Sequence, residues 1–247
     1  MDANRQGFAS ARVIVTRPEP DASAFAAMVK AAGMTPVLSP TIEIAFRPAA
    51  VSFDGVRALA FTSANGVRAL MHKALPAGAL ALPVFAVGPA SAEAARQAGF
   101  GAVSTAAGDV ASLAELIGRS FAGDGAVLHI SGSDRAGDLA ELLAKSDVEA
   151  RRVTLYAATA APRLSAAAAA MLSEPSSDDW ATFFSPRTVR LFIEQVQASG
   201  MARRLAVLRA ACLSEAVADA ARTTAWKELR VAAGPSGQAM INAMSEG

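Results

Sequence analysis

The chain has 247 residues, of which 53% are hydrophobic, and its formal net charge is +1. This balance provides no basic field to attract nucleic acid, and no apolar run reaches the ~18–20 residues that a membrane span needs. The only cysteine, Cys212, excludes an intramolecular disulfide and indicates a reducing, cytoplasmic compartment, and we expect its thiol to be buried.

Apolar runs alternate with segments of helical periodicity along the chain. We predict strands at 13–15, 34–38, 56–61, 83–87, 102–103, 126–130, 148–158, 180–184, within 205–213 and at 229–231. We predict helices at 21–33, 67–75, 92–98, 109–117, 139–144, 162–171, 186–197, 214–223 and 234–244. Residues 39–46 are extended and broken by proline, which favours a linker strand. This rhythm predicts an α/β fold of parallel sheets covered by helices, flavodoxin- or Rossmann-like.

Several short segments allow predictions about individual residues. Asp21 and Ser23 are candidate caps of the first helix. Residues 131–135 predict a turn after the strand at 126–130. His72 and His129 have no cysteines or acidic clusters at metal-ligand spacing, so we predict no metal site.

One motif occurs twice. Phe61-Thr62-Ser63 ends a predicted strand before a helix, and Phe183-Phe184-Ser185 repeats that arrangement. Three further pairs support a duplication, namely 86–96 with 212–222, 107–108 with 233–234 and, more weakly, 13–29 with 127–143. We therefore expect two similar lobes, each presenting backbone N–H groups and a hydroxyl at the carboxyl end of a strand, which suits an anionic ligand.

The order of the repeats allows two domain layouts. The lobes are either sequential, or the middle block is inserted into a domain made from both ends of the chain. Two extended segments favour the inserted layout, because a sequential boundary requires only one. We thus expect a discontinuous first domain at 1–38 and 161–247. The second domain is expected at 45–152, and the two-stranded linker at 39–44 and 153–160.

The order and spacing of these motifs resemble the uroporphyrinogen-III synthase family over nearly the whole chain. The resemblance is carried by Thr16-Arg17-Pro18, Phe61-Thr62-Ser63-Ala64-Asn65-Gly66-Val67, Val87-Gly88-Pro89-Ala90-Ser91-Ala92, Gly132, Val153-Thr154-Leu155-Tyr156 and Phe184-Ser185-Pro186. It implies two α/β lobes joined by a two-stranded β connector, with a cleft between them. It also implies an enzyme without metal or organic cofactor.

The implied reaction is that of a cyclising lyase. Its substrate is hydroxymethylbilane, a linear tetrapyrrole with eight carboxylates. The enzyme removes water and closes the ring with ring D inverted, which gives uroporphyrinogen III. We expect a cytoplasmic monomer that makes at most transient contact with the preceding pathway enzyme.

The resemblance also assigns a catalytic residue. Tyr156, the only tyrosine, is similar to the family's tyrosine at the end of the returning linker strand, which assists the departing hydroxyl. A phenol can donate a hydrogen bond without carrying charge. The alternative is an amphipathic packing residue.

The implied substrate-binding residues are small or hydroxylic and follow predicted strands. They are Thr62, Ser63, Ala64 and Asn65 in the first turn, Gly88 and Ser91, Gly132, and Ser185 with Pro186. Serines at these positions would also serve as plain helix caps. Arg17 is expected to pair either with a substrate carboxylate or with an acidic side chain of the protein.

Two other functions remain open from the sequence. A two-lobed small-molecule binding or sensor protein would use the same hinge without catalysis. A nucleotide-using enzyme is disfavoured, because Val87-Gly88-Pro89-Ala90-Ser91 is not a dinucleotide-binding fingerprint and no P-loop motif occurs.

Overall fold

The computed structural model describes residues 11–121, 124–133 and 138–245. Its strands are β1 (Arg12–Val15), β2 (Thr35–Leu38), β3 (Ile42–Phe46), β4 (Val56–Phe61), β5 (Val84–Ala86), β6 (Val103–Thr105), β7 (Ala126–Gly132), β8 (Glu149–Ala160), β9 (Trp180–Phe183), β10 (Arg209–Cys212) and β11 (Glu228–Val231). Its α-helices are α1 (Asp21–Ala31), α2 (Ala64–Met71), α3 (Pro89–Gln97), α4 (Val110–Ser120), α5 (Leu139–Ala144), α6 (Ala166–Ser173), α7 (Pro186–Ala198), α8 (Glu215–Ala221) and α9 (Gly237–Ser245). Among these described helices, none is long and apolar enough to cross a membrane.

The chain divides into two compact units. The first unit combines Met1–Glu43 with Thr159–Gly247, and the second unit is Ile44–Ala158. Each contains its own sheet with helices packed on it, and all strands but β3 are parallel. This architecture confirms the predicted α/β fold with two similar lobes.

The sheet of the first unit has the strand order β11-β10-β9-β1-β2, and all of its pairs are parallel. In chain order this is the flavodoxin-like arrangement 2-1-3-4-5. Successive residues of a strand face opposite sides of the sheet, so Trp180 and Phe183 enter different hydrophobic clusters. The sheet is therefore buried on both faces, as its continuous apolar strands predict.

The sheet of the second unit has the order β3-β8-β7-β4-β5-β6. If β7 is counted as its first strand, the parallel strands again follow the order 2-1-3-4-5, with the chain circularly permuted. The permutation explains the internal repeat, because β4 and β9 occupy the same position in their sheets. Both strands lead into a helix that begins after a serine.

The two crossings of the chain between the units lie in β3 and β8, which are neighbours in the sheet. Arg47 N donates to Leu155 O at 2.7 Å, and Ala161 N donates to Thr41 O at 2.9 Å. These bonds show that the segments run antiparallel. They form the two-stranded connector that the sequence predicts.

Several helix and strand boundaries differ from prediction. Residues Ala202–Val207 form a 3₁₀ helix, so only the second half of 205–213 is a strand. Helix α6 starts at Ala166 because the Ser165 Oγ caps it by accepting from Ala168 N. The prediction that Asp21 and Ser23 cap α1 is wrong.

The residue at the cap position of α1 is Pro20, without a side-chain cap bond. The Glu19 carboxylate fulfils part of that role by accepting from Ser23 N at 3.1 Å and from Ser23 Oγ at 2.9 Å. An acidic side chain four residues before Ser23 thus supplies the acceptor that the sequence pattern assigned to Asp21 or Ser23.

Candidate functional site

The predicted site residues of the second unit gather at the carboxyl edge of its sheet. Ligands of open α/β sheets bind at this edge, where the strand order reverses. Here the reversal lies between β7 and β4. Ser63 follows β4, and Gly132 ends β7 in register with Tyr156 of β8. Gly88 lies two residues after β5.

Tyr156 packs directly on Gly132. A Cβ built on the glycine would lie 2.7 Å from the Tyr156 Cε2 atom and 3.1 Å from its hydroxyl oxygen. The register of β7 and β8 shifts between Ser131 and Gly132, so that Leu155 is an extra residue in β8. This bulge presents the tyrosine ring to the glycine.

The same bulge corrects the predicted turn at 131–135. Ser131 and Gly132 belong to β7 because their backbones pair with β8, and Ser133 N still donates to Tyr156 O at 2.9 Å. Asp134 and Arg135 lie outside the described residues. Gly132 is therefore the end of a strand, and it permits a close approach of an aromatic ring.

Ser63 caps α2, with its Oγ accepting from Asn65 N at 3.2 Å. The Asn65 Oδ1 in turn accepts from Arg68 Nη1 at 2.8 Å. Ala64 is the first residue of the helix. The capping role is thus present, and the Ser63 hydroxyl hydrogen remains available to donate to a ligand.

Helix α3 begins without a side-chain cap. Gly88 occupies the cap position in extended conformation, and the N–H groups of Ala90 and Ser91 precede the first intrahelical bond. Ser91 is 4% exposed. Within the described residues, no hydrogen bond joins its hydroxyl to another residue. These donors suit an anionic group.

Sequence reasoning weighed His129 only as a metal ligand and missed its contact with Thr62. The His129 Nε2 and the Thr62 Oγ1 lie 3.2 Å apart. Burial, and next the charge of Arg152, lower the pKa of His129 to about 4, against an opposing effect of Asp138. The imidazole is therefore neutral at physiological pH. The only signal in the sequence was a histidine inside the apolar run of β7.

Arg152 was also missed. Its Nε donates to Ser131 Oγ and its Nη2 donates to Gly132 O, each at 2.8 Å. The half-buried guanidinium thus reaches the same glycine on which Tyr156 packs. No motif marked this arginine, because its neighbours belong to another strand.

In the first unit, Ser185 caps α7. Its Oγ accepts from Thr188 N at 3.2 Å, and its backbone O accepts from Thr188 Oγ1 at 2.8 Å. Pro186 is the first residue of the helix, where its missing N–H costs no hydrogen bond. As at Ser63 in the second unit, a serine hydroxyl accepts from a backbone N–H of the first helical turn.

Arg17 follows β1 and forms an ion pair with Asp21 at 3.3 Å. Its guanidinium also lies 4.2 Å from the ring centroid of Phe184, which packs edge-on against Phe25. Of the two predicted partners of Arg17, the structure contains the acidic side chain. A role towards a substrate carboxylate stays a prediction.

Cys212 is fully buried and unpaired, as predicted. Burial raises the pKa of its thiol to about 12, so it is not a nucleophile at neutral pH. Across the described parts of the chain, no three histidine, cysteine or acidic side chains are grouped so as to hold a metal ion.

The chain is similar to a known family in sequence and to solved structures in fold. The sequence matches the family model described as uroporphyrinogen-III synthase HemD over residues 23–242. No curated protein matches it. Among solved structures, the chain resembles the uroporphyrinogen-III synthetase of Helicobacter pylori, with a TM-score of 0.64 and 16% identity over 94% of this chain and 97% of that one.

A mutant uroporphyrinogen III synthase of Thermus thermophilus is also similar. The TM-score is 0.57 with 20% identity, and the match covers 94% of this chain and 96% of the other. At these identities, the likenesses to solved structures concern the fold.

Proposed function

The chain belongs to the uroporphyrinogen-III synthase family, and we propose that Tyr156 and the carboxyl edge of the second unit's sheet carry out its reaction. The enzyme is a lyase of haem biosynthesis that cyclises hydroxymethylbilane with loss of water and inversion of ring D. The observation that supports the site is the packing of Tyr156 on Gly132, beside the helix starts at Ser63 and Gly88.

The chemistry requires little from the protein besides an acid and a fixed geometry. Loss of the terminal hydroxyl leaves a cation that the pyrrole nitrogen stabilises, so the substrate supplies the electron pair. Tyr156 donates a hydrogen bond to the departing hydroxyl. The bound shape of the chain then directs attack to the substituted carbon of ring D. Spontaneous closure would give the unrearranged isomer, so control of geometry is the main task.

Most of the substrate's carboxylates are bound by uncharged donors in this proposal. Those of the second unit are Thr62, Ser63, Ala64, Asn65, Gly88, Ser91 and Gly132, through backbone N–H groups and hydroxyls. Ser185 and Pro186 form the corresponding turn of the first unit, where Arg17 adds a charge. Helix starts favour carboxylates because their first N–H groups lack intrahelical acceptors.

The domain arrangement is part of the proposal. We assign the domains to 1–38 with 161–247 and to 45–152, with 39–44 and 153–160 as the linker. The hydrogen bonds between β3 and β8 support a connector of this kind. Scattering profiles that change when product binds are expected if the connector is a hinge. Identical profiles would count against it.

The proposed setting is a cytoplasmic monomer that at most contacts the preceding pathway enzyme transiently. The buried, unpaired Cys212 supports a reducing compartment. Sedimentation of the purified chain at micromolar concentration tests the monomer.

The function itself is tested by product analysis. The purified chain is mixed with enzymatically generated hydroxymethylbilane, and the oxidised products are separated by isomer. We expect the type III isomer in excess over a control without enzyme. Only type I, together with saturable binding of the bilane, would instead indicate a binding protein without catalysis.

A further inference from the structure

We propose that Arg152 binds a carboxylate side chain of the substrate at the carboxyl edge of β7; this inference rests on the proposed function. The side chain starts level with His129, its partner in the register of β7 and β8. It extends along the strand to Ser131 and Gly132 at the carboxyl edge. A cation is thus placed where the substrate is expected to bind.

Among the described residues, the hydrogen-bond partners of Arg152 are neutral. Within the part of the chain that the structure describes, its guanidinium donates only to the neutral oxygens of Ser131 and Gly132, and no ion pair joins it to an acid. A half-buried cation with neutral partners loses hydration without gaining an opposite charge. A ligand carboxylate would supply that charge.

The geometry of the guanidinium favours this ligand. Its Nε–Nη2 edge is occupied by the bonds to Ser131 and Gly132, which hold the plane of the group in place. The Nη1–Nη2 edge carries two further N–H donors in the fork that matches a carboxylate. Because the side chain is already ordered, binding costs less conformational entropy than it does for a mobile arginine.

Arg151, the neighbouring arginine on β8, differs from Arg152 in its exposure, in its partners and in the face of the sheet on which it lies. Arg151 is exposed, and its Nε pairs with Glu149 at 2.7 Å. Its Nη1 also donates to Asp54 O. It has an internal counter-ion, and alternation along β8 directs it to the other face of the sheet. Arg151 is therefore a matched control.

Arg152 and Tyr156 reach Gly132 from different faces of the sheet. Tyr156 packs with Leu128 and Ile130, whereas Arg152 is in register with His129, on the face of Val127. A carboxylate on Arg152 therefore lies at the carboxyl edge of β7, on the face opposite the Tyr156 ring, and would position the substrate rather than take part in the loss of the hydroxyl.

The test compares R152Q, R152K and R151Q in the full-length enzyme. Initial rates with hydroxymethylbilane give kcat and KM, and a titration with uroporphyrin III, the oxidised product, gives Kd. We expect R152Q to raise both KM and Kd about tenfold, the size of a lost charge-assisted hydrogen bond, with kcat within about threefold. R152K, which keeps the charge without the fork, should be intermediate. R151Q should match the wild type.

The outcomes separate this proposal from the proposed function. If the wild type forms the type III isomer and R152Q matches R151Q in both KM and Kd, Arg152 does not bind a carboxylate. A fall in kcat with unchanged KM and Kd would overturn it as well. If the wild type forms only type I, the function fails, and a tenfold weaker Kd in R152Q would still support the carboxylate site. R152K guards against misfolding of R152Q, because it keeps a positive charge and a hydrogen-bond donor beside Ser131 and Gly132.

Discussion

The ring of Tyr156 lies against the α-carbon of Gly132, with ring carbons 2.7 and 2.8 Å from the position of an added Cβ. No side chain larger than hydrogen fits between them without displacing the ring. The only tyrosine of the chain is thus fixed at the carboxyl edge of a parallel sheet by a glycine on the neighbouring strand. Both residues belong to the proposed site, and a substitution of either one alters their contact.

Replacing the glycine tests that contact. In Gly132→Ala the new methyl group must push the ring away, so we expect turnover to fall at least about tenfold and stability to drop by about 1–3 kcal/mol. Steady-state kinetics and urea denaturation measure the two effects. Gly101→Ala is the control, because nothing lies within 4 Å of its added Cβ. Wild-type turnover in Gly132→Ala would mean that the position of Tyr156 does not matter.

The cap and the binding roles of Ser63 can be separated. Ser63→Ala should lose about 1 kcal/mol of stability with the cap bond. Ser63→Asp retains a cap acceptor, so stability should stay near that of the wild type, but its charge repels a substrate carboxylate and should raise KM. Ser165→Asp, at the start of α6, is the control expected to leave KM unchanged. An unaltered KM in Ser63→Asp would leave the serine as a cap only.

The buried imidazole of His129 predicts a pH dependence of stability. Its pKa is lowered from 6.5 to about 4 in the folded protein, so the unfolded chain takes up a proton more readily. The stability from the neutral His129 is complete above pH 6.5 and is lost as the pH falls towards 4, by about 2–3 kcal/mol at pH 4.5.

Urea denaturation at pH 7 and pH 4.5 checks this effect. His129→Gln removes the titration and keeps a polar group near Thr62, so its stability should fall less than that of the wild type. His72→Gln leaves His129 in place and should retain the full loss. Equal losses in the wild type and His129→Gln would show that another group is responsible.

The sequence was sufficient for features that are local or repeated. The strands, the two lobes and the helix starts at Ser63 and Ser185 follow from apolar runs and from one duplicated motif. Tyr156 was identified by resemblance to a family. Each of these depends on residues that are close in sequence or recur at matching places.

Contacts between neighbouring strands could not be predicted from local sequence patterns. The bulge that sets Tyr156 on Gly132 requires the register of β7 and β8, which no local pattern encodes. Arg152 reaches Ser131 through the same pairing, and His129 meets Thr62 across β7 and β4. The turn predicted at 131–135 wrongly included Ser131 and Gly132 for this reason, because small residues favour a turn until a partner strand pairs with them.

The most direct test of the account is the single-turnover rate of ring closure in Tyr156→Phe. The phenylalanine keeps the ring on Gly132 and removes only the hydroxyl, so the fold and KM should be retained. We predict a rate about 10–100-fold below that of the wild type, with residual type III product because the substrate drives much of the ionisation. A rate equal to that of the wild type would contradict the role of Tyr156 as the hydrogen-bond donor to the departing hydroxyl.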